Sequence, residues 1–238
     1  RRPGQRRGGK GCPRRGREDW AAGLGRWTER PVGGGAAHLG YELDGGHGPV
    51  GVILLISSKR GDQIISNLSS WYVEPQWRTH STLLVSMATK LKHVPYLNAS
   101  PAPHTWRTLQ AQSFAPYNFG RSLVFGLPGR GTVSDIIPDG LPEAQLLRDH
   151  RAMGKVALVV ERDGTQSPFV FKPRRLDKPP VPVMDVMFCR GPEDFRRCLP
   201  ALARYFLPRG RMGFLMDGDM TGTLSHYAEG KEPRYFKG

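Results

Sequence analysis

One stretch of this sequence has residue types and spacing suited to holding an anion and moving a proton. Asn67-Leu68-Ser69-Ser70-Trp71-Tyr72-Val73-Glu74-Pro75-Gln76-Trp77-Arg78-Thr79-His80-Ser81 passes from strand-like alternation into helical spacing at Pro75. A strand that runs straight into a helix presents free backbone N–H groups and the positive end of a helix dipole. Phosphate or pyrophosphate is a natural occupant of such a junction, and Arg78 adds a charge-assisted contact. His80 and, further along, His104 lie where a general base could act. Trp71, Tyr72, Trp77 and Trp106 form an aromatic group that suits a pocket wall as well as a core.

Other motifs are weaker. Asp217-Gly218-Asp219 follows an apolar strand, and ordinary turn chemistry accounts for it. The seven histidines show no metal-ligand spacing, so no metal site is expected. Gly33-Gly34-Gly35 is not a dinucleotide fingerprint, since no strand precedes it, and no Gly-x-Ser-x-Gly elbow occurs. Cys12, Cys189 and Cys198 are an odd count without C-x-x-C spacing, which argues against a disulfide framework and suits a reducing cytoplasm.

The elements that must position these residues can be read from periodicity. Residues 17–28 read as a short helix. Residues 38–44 and 50–57 form a hairpin around Asp44-Gly45-Gly46, and 64–73 is the next strand. Leu83, Leu84, Met87, Ala88 and Leu91 make one apolar helix face. A short strand over 94–98, a helix over 104–112 and a strand over 120–125 follow. Residues 127–140, rich in Gly, Pro and Asp, read as a linker. Strands over 156–161 and 169–172 then flank Asp163-Gly164. They are followed by a strand over 183–189, a helix opened by Pro192 with a kink expected at Pro200, and a strand over 212–216. Hairpin, strand, helix, strand thus occurs twice, a repeat of element order and not of sequence. No closing element is evident before Gly238, and with no initial Met the chain reads as a fragment at both ends.

The 238 residues carry a formal charge of +14. Residues 1–30 hold ten Lys and Arg against three acidic residues, so half of that charge lies in an N-terminal arm. Such an arm attracts nucleic acid or other polyanions without reading sequence. No apolar run approaches the roughly 18 residues of a membrane span.

Val-x-Pro-x-aromatic-Arg ahead of a helix resembles the acyl-CoA binding motif of the GNAT superfamily, the acyl-CoA-dependent N-acetyltransferases. That pattern, Arg/Gln-x-x-Gly-x-Gly/Ala, maps onto Arg78, Ser81 and Leu83. A second GNAT motif, a strand ending in Asn and a helix closing in Gly-Phe, maps onto Asn98 and Ser113-Phe114. The resemblance covers residues 37–125, with a weaker echo over 156–219. Tyr96 to Trp106 is also similar to an uncharacterised bacterial subgroup of GNAT-like proteins.

The resemblance implies an acyl-CoA N-acyltransferase-like α/β fold, duplicated in tandem: a mixed, mainly antiparallel sheet flanked by helices. It implies a basic arm over 1–16, a GNAT-like domain over 17–126, a linker and helix over 127–150, and a degenerate, truncated second domain over 151–238. Acetyl-CoA or another acyl-CoA would be the co-substrate, held by Val73, Arg78, Thr79, His80, Ser81, Thr82, Leu83 and Asn98. Its acyl group would pass to a small amine or peptide, with Glu74, His80, His104 and Tyr117 as candidates for proton transfer. Two further readings follow from the same family: an aminoacyl-tRNA-dependent tandem transferase, and an inactive GNAT-like protein that binds a ligand or partner. The second draws on departures from the pattern. Ser81 replaces a glycine, Leu83 replaces a small residue and narrows the approach, and Leu109 stands where many members have a catalytic Tyr. Ser69, Ser70 and Trp71 stand where many have a Glu.

Overall fold

The computed structural model describes residues 39–60, 62–177 and 180–238. The basic arm, the expected helix over 17–28 and Cys12 lie outside these residues. β1 (Gly40–Asp44) and β2 (Pro49–Arg60) pair antiparallel, with Tyr41 opposite Ile53. Asp44 Oδ1 accepts the amides of Gly46 (2.8 Å) and Gly48 (3.3 Å). Both glycines take positive φ, 88° and 126°, which glycine tolerates without a Cβ clash.

β3 (Gln63–Val73) lies antiparallel to β2. Its buried positions are Ser66 and Leu68, then Val73, so the in–out parity changes along the strand. A bulge makes the change. Leu54 pairs with Ser69 and Val52 with Tyr72, leaving Ser70 and Trp71 together opposite Ile53. Ser70 takes a left-handed φ of 47°.

A 3-10 turn over Pro75–His80 leads directly into α1 (Ser81–Ala88), so the helical path begins at Pro75, where the spacing changes. Pro75 suits that position, because a helix start needs no N–H there. α1 buries Leu84, Val85 and Ala88. Leu83 and Met87, expected on the buried face, are exposed. After β4 (Tyr96–Asn98) and a 3-10 turn at Pro103–Thr105 comes α2 (Trp106–Ala111). α2 ends with Ser113 at φ 63° and the Phe114 amide on the Leu109 carbonyl at 3.0 Å, a left-handed cap where glycine is favoured. β5 spans Ala115–Phe125.

The segment expected to be a linker contains a strand, β6 (Thr132–Ser134), because β-branched Thr132 and Val133 extend along the edge of β7 (Val156–Arg162). Between them lies α3 (Ala144–Ala152). β8 (Thr165–Arg175) follows a turn in which Asp163 and Gly164 both have positive φ, the tight-hairpin signature. β9 (Pro182–Phe188), α4 (Pro192–Phe206), β10 (Gly213–Asp217) and β11 (Leu224–Lys237) complete the order. α4 is continuous through Pro200, whose carbonyl accepts the Gly129 amide at 3.0 Å. β11 was not expected from the sequence. Its period is interrupted by Gly230 and Glu232, both at positive φ, and by Pro233.

Two compact units result. The described residues up to Tyr117, with Arg234–Gly238, form the first, and Asn118–Pro233 form the second. In the first, the strand order is β1-β2-β3-β4, then the end of β11, with Tyr235 antiparallel to Asn98. In the second it is β6-β7-β8-β9-β10, then β5, with Phe214 antiparallel to Val124. The pairing senses correspond. β2/β3 and β8/β9 are antiparallel, β3/β4 and β9/β10 are parallel, and the closing pair is antiparallel. Each unit is thus a mixed, mainly antiparallel sheet with helices packed on it.

The first core gathers Ile53, Leu55, Leu68, Leu84, Val85, Leu109 and Phe114. The second is more aromatic: Phe171 meets Phe206 edge-on at 5.2 Å and Phe195 meets Phe214 at 5.6 Å. On another face of the second unit, Ala144 and Leu147 of α3 join Ala157, Val159 and Val170.

Candidate functional site

Parallel strands β3 and β4 pair only at Ser66–Tyr96 and Asn67–Leu97. β3 then continues to Val73, while β4 ends at Asn98. Asn67 Oδ1 accepts the Ala99 amide at 3.1 Å and fixes where the strands part. Beyond that point no strand among the described residues pairs with β3 on the β4 side, and this edge of β3 borders an opening. The bulge at Ser70–Trp71 takes further backbone groups out of the ladder.

Two cavities occupy this opening. The inner one, about 200 Å³, is lined by Leu68 to Trp71 on one side and by Asn98, Ser100 and Thr105 on the other. The outer one, about 590 Å³, is lined by Trp71, Tyr72, Val73, Arg78, Ser81 and His104, with Thr105 and Thr108. Trp71 and Thr105 line both. The groove therefore runs from the strand–helix junction to the bulge.

Val73, Arg78, Ser81 and His104 come together on the outer cavity, and Asn98 lies on the inner one. Arg78 pairs with no carboxylate among the described residues. Ser81 does not cap the helix. Its amide and its hydroxyl (2.7 Å) both donate to the Arg78 carbonyl, because the 3-10 turn has already satisfied the helix start. At Ser81 the amide expected to be free at the junction is therefore taken, while the edge of β3 and Arg78 still border the groove. Asn98 is buried and accepts the Ser100 amide at 3.4 Å. His104 is exposed on the turn that enters α2.

The remaining candidates lie elsewhere. Glu74 accepts Gln76 Nε2 at 2.6 Å and donates its amide to Val50, and it lines neither cavity. His80 is exposed, 5.5 Å from the Trp77 ring and 3.2 Å from the Thr79 hydroxyl. Thr79 and Thr82 are exposed. Leu83 is 53% exposed and lines neither cavity, so it does not constrict the groove. Tyr117 lies half exposed on β5, away from both cavities. Leu109 is fully buried core. The sequence reading missed the bulge at Ser70 and the hydroxyls of Ser100, Thr105 and Thr108. The one available signal was Ser69-Ser70, which interrupts the alternation of β3 just before Trp71.

Ser122 holds the Asp217-Gly218-Asp219 turn, donating to the Gly218 carbonyl at 2.7 Å and accepting the Met220 amide at 3.1 Å. Among the described residues no group of three His, Cys, Asp or Glu is placed to hold a metal ion, and no helix is long and apolar enough to cross a membrane.

This architecture is the fold of the GCN5-related N-acetyltransferases, the GNAT fold. A GCN5-related N-acetyltransferase of Kribbella flavida matches with a TM-score of 0.56 at 12% identity, over 92% of this chain and 63% of its own. A fungal GCN5-related glucosamine N-acetyltransferase region, part of a multi-domain β-N-acetylglucosaminidase, matches with a TM-score of 0.52 at 12% identity, over 81% of this chain and 32% of its own. Eis1 of Mycobacterium abscessus matches with a TM-score of 0.50 at 11% identity, over 93% and 72%. The chain thus spans less than two thirds of the first two. At these identities the likeness is one of fold. No family model and no curated protein matches the sequence.

Proposed function

We propose that the first unit binds an acyl-CoA in the groove between β3 and β4 and transfers its acyl group to an amine. The observation that carries this reading is the parting of two parallel strands beside an unneutralised arginine. An extended chain rich in amides fits against the unpaired β3 edge, and its anionic end falls near Arg78 and the Ser81 hydroxyl. The thioester then lies near the bulge, where backbone amides would polarise its carbonyl as negative charge develops on oxygen. The acceptor nitrogen attacks the carbonyl carbon, the C–S bond breaks, and the thiolate leaves with a proton returned to it. Among the candidate groups for proton transfer, His104 is the one that lines the outer cavity.

The corresponding strand orders of the two units support reading the second as a diverged copy of the first. A superposition of residues 156–217 on 40–98 is expected to match strand for strand.

The direct test of chemistry is thiol release from acetyl-CoA in the presence of a panel of amines. His104→Gln is expected to lower kcat about a hundredfold, within the range for a general base, with the KM for acetyl-CoA preserved. Equal loss in both parameters would remove His104 from the proton path. No thiol release with any amine, despite binding, would leave a ligand-binding protein.

A further inference from the structure

At the far end of α1 from Arg78, about 12 Å along the axis for eight residues, lies a separate cavity of about 430 Å³. It shares no lining residue with the groove. Lys90 and Lys92 reach it from the segment after α1, and Lys237 from the end of β11. No Asp or Glu side chain lines it, though Gly238 does, and none of these three lysines pairs with a carboxylate among the described residues. Aromatic faces hold two of the ammonium groups, and Lys237 Nζ also donates to the Thr89 hydroxyl at 3.3 Å. Lys90 Nζ lies 5.5 Å from the Tyr41 ring centre, and Lys237 Nζ lies 5.8 Å from that of Phe114.

The neutral groups of the wall add donors. The Gln112 carbonyl oxygen is taken by Ser86 Oγ at 3.0 Å, which leaves its amide nitrogen to donate. The Tyr96 hydroxyl accepts the Leu91 amide at 3.3 Å, which leaves its own proton to donate. Complementing the dipole at the end of α1 would explain Lys90. It does not explain Lys237, which arrives on another strand to the same cavity.

We infer that this cavity is a binding site for a small phosphorylated molecule, distinct from the acyl-CoA groove. Three ammonium groups and two neutral donors match the acceptor oxygens of a phosphate monoester. The volume leaves room for an organic body beside the phosphate, against Leu91 and Val94. A concave site of this size suits a discrete ligand better than a polymer lying on a surface.

The probes are inorganic phosphate and adenosine 5′-monophosphate, titrated calorimetrically at low ionic strength. Wild type and Arg78→Ala are expected to bind them equally. A Lys90→Gln/Lys92→Gln double variant is expected to bind at least about tenfold more weakly, the cost of losing one charged hydrogen bond or more. Both lysines are exposed, and relief of like-charge repulsion should leave the unligated melting temperature unchanged or raised. Lys237→Gln is a second variant from the other strand. Absence of phosphate and nucleotide binding to wild type overturns the inference, as does a double variant that binds like wild type. Binding lost only in Arg78→Ala would reassign it to the groove. A single-stranded oligonucleotide that needs these lysines, while neither small probe binds, would make this a polyanion surface and also overturn it.

Discussion

The two strand–helix junctions have corresponding positions in their units and opposite electrostatics. After β3, neither the 3-10 turn nor α1 has an acidic residue in its first turn, and Arg78 lacks a carboxylate partner among the described residues. After β9, α4 opens with Glu193 and Asp194. Asp194 accepts the Ser167 hydroxyl at 2.8 Å and pairs with Arg197, while Glu193 pairs with Arg196. Arg190, which precedes that helix, is clamped by both oxygens of Glu143 at 2.8 and 2.9 Å. Burial pushes the neighbouring Cys189 thiol up to about 11, so it adds no thiolate. The second helix start therefore supplies its own anions, and a pyrophosphate there would meet like charge. The same fold carries an open basic junction in one unit and a self-neutralised one in the other.

The second unit also spends its charges internally. Arg121, 5% exposed, pairs with Asp185, with Asp217 at 3.1 Å and with Glu232 at 3.0 Å, and Arg174 binds Glu232 at 2.6 Å. Burial works against the Arg121 charge, but these carboxylates outweigh it and raise its pKa. Arg121→Leu should therefore have the largest effect on stability. It removes the buried cation that three carboxylates share, leaving Asp185 and Glu232 to Arg174, and should cost about 3–5 kcal/mol of stability, measured by urea unfolding. Arg78→Ala should cost less than about 0.5 kcal/mol in the same assay, as for surface residues outside any network. Equal effects would erase the contrast between a structural and a binding arginine.

Acid sharpens the comparison. Hydrogen bonding to Arg174, reinforced by Arg121 and opposed by burial, lowers the Glu232 pKa from 4.5 to about 2. A depressed folded-state pKa stabilises above the unfolded value and is lost as pH falls through the folded one. Stability should thus decline between pH 4.5 and about 2 as this network protonates. Glu232→Gln should flatten the decline in thermal melts across that window. An unchanged pH profile would remove Glu232 from the network.

The smallest expected effect is a gain, in the first unit. Ser113 occupies a left-handed cap at φ 63°. A left-handed non-glycine residue costs roughly 1–2 kcal/mol, and glycine's own chain entropy returns part of that. Ser113→Gly should stabilise by about 0.5–1 kcal/mol. Destabilisation would mean that the serine makes a contact worth more than the strain.

Ser113 also illustrates what the sequence disclosed. Its match to the glycine of a family motif placed it at the right cap before any backbone angle was known. The hairpins, β3 and β4 were legible because alternation and Asp-Gly turns are local signals. The bulge was not, because it depends on which β2 residues face Ser70 and Trp71. β11 was hidden by Gly230, Glu232 and Pro233, which break its period, and by partners remote in sequence. The Arg121 network joins residues 64 and 111 positions apart, a relation that no spacing rule encodes. At the junction, Pro75 marked the start of the helical path, but no local signal showed that its first six residues take the 3-10 form.

The central claim is that one junction binds the CoA anion and the other does not. Calorimetric titration of acetyl-CoA tests it with wild type, Arg78→Ala and a Glu193→Gln/Asp194→Asn variant. The account predicts one junction site per chain. Affinity should fall about ten- to a hundredfold in Arg78→Ala, the roughly 1.5–3 kcal/mol of a charged hydrogen bond, and stay unchanged in the Glu193/Asp194 variant. Binding that ignores Arg78→Ala, or a second site in wild type that persists in the Lys90→Gln/Lys92→Gln variant, would contradict it.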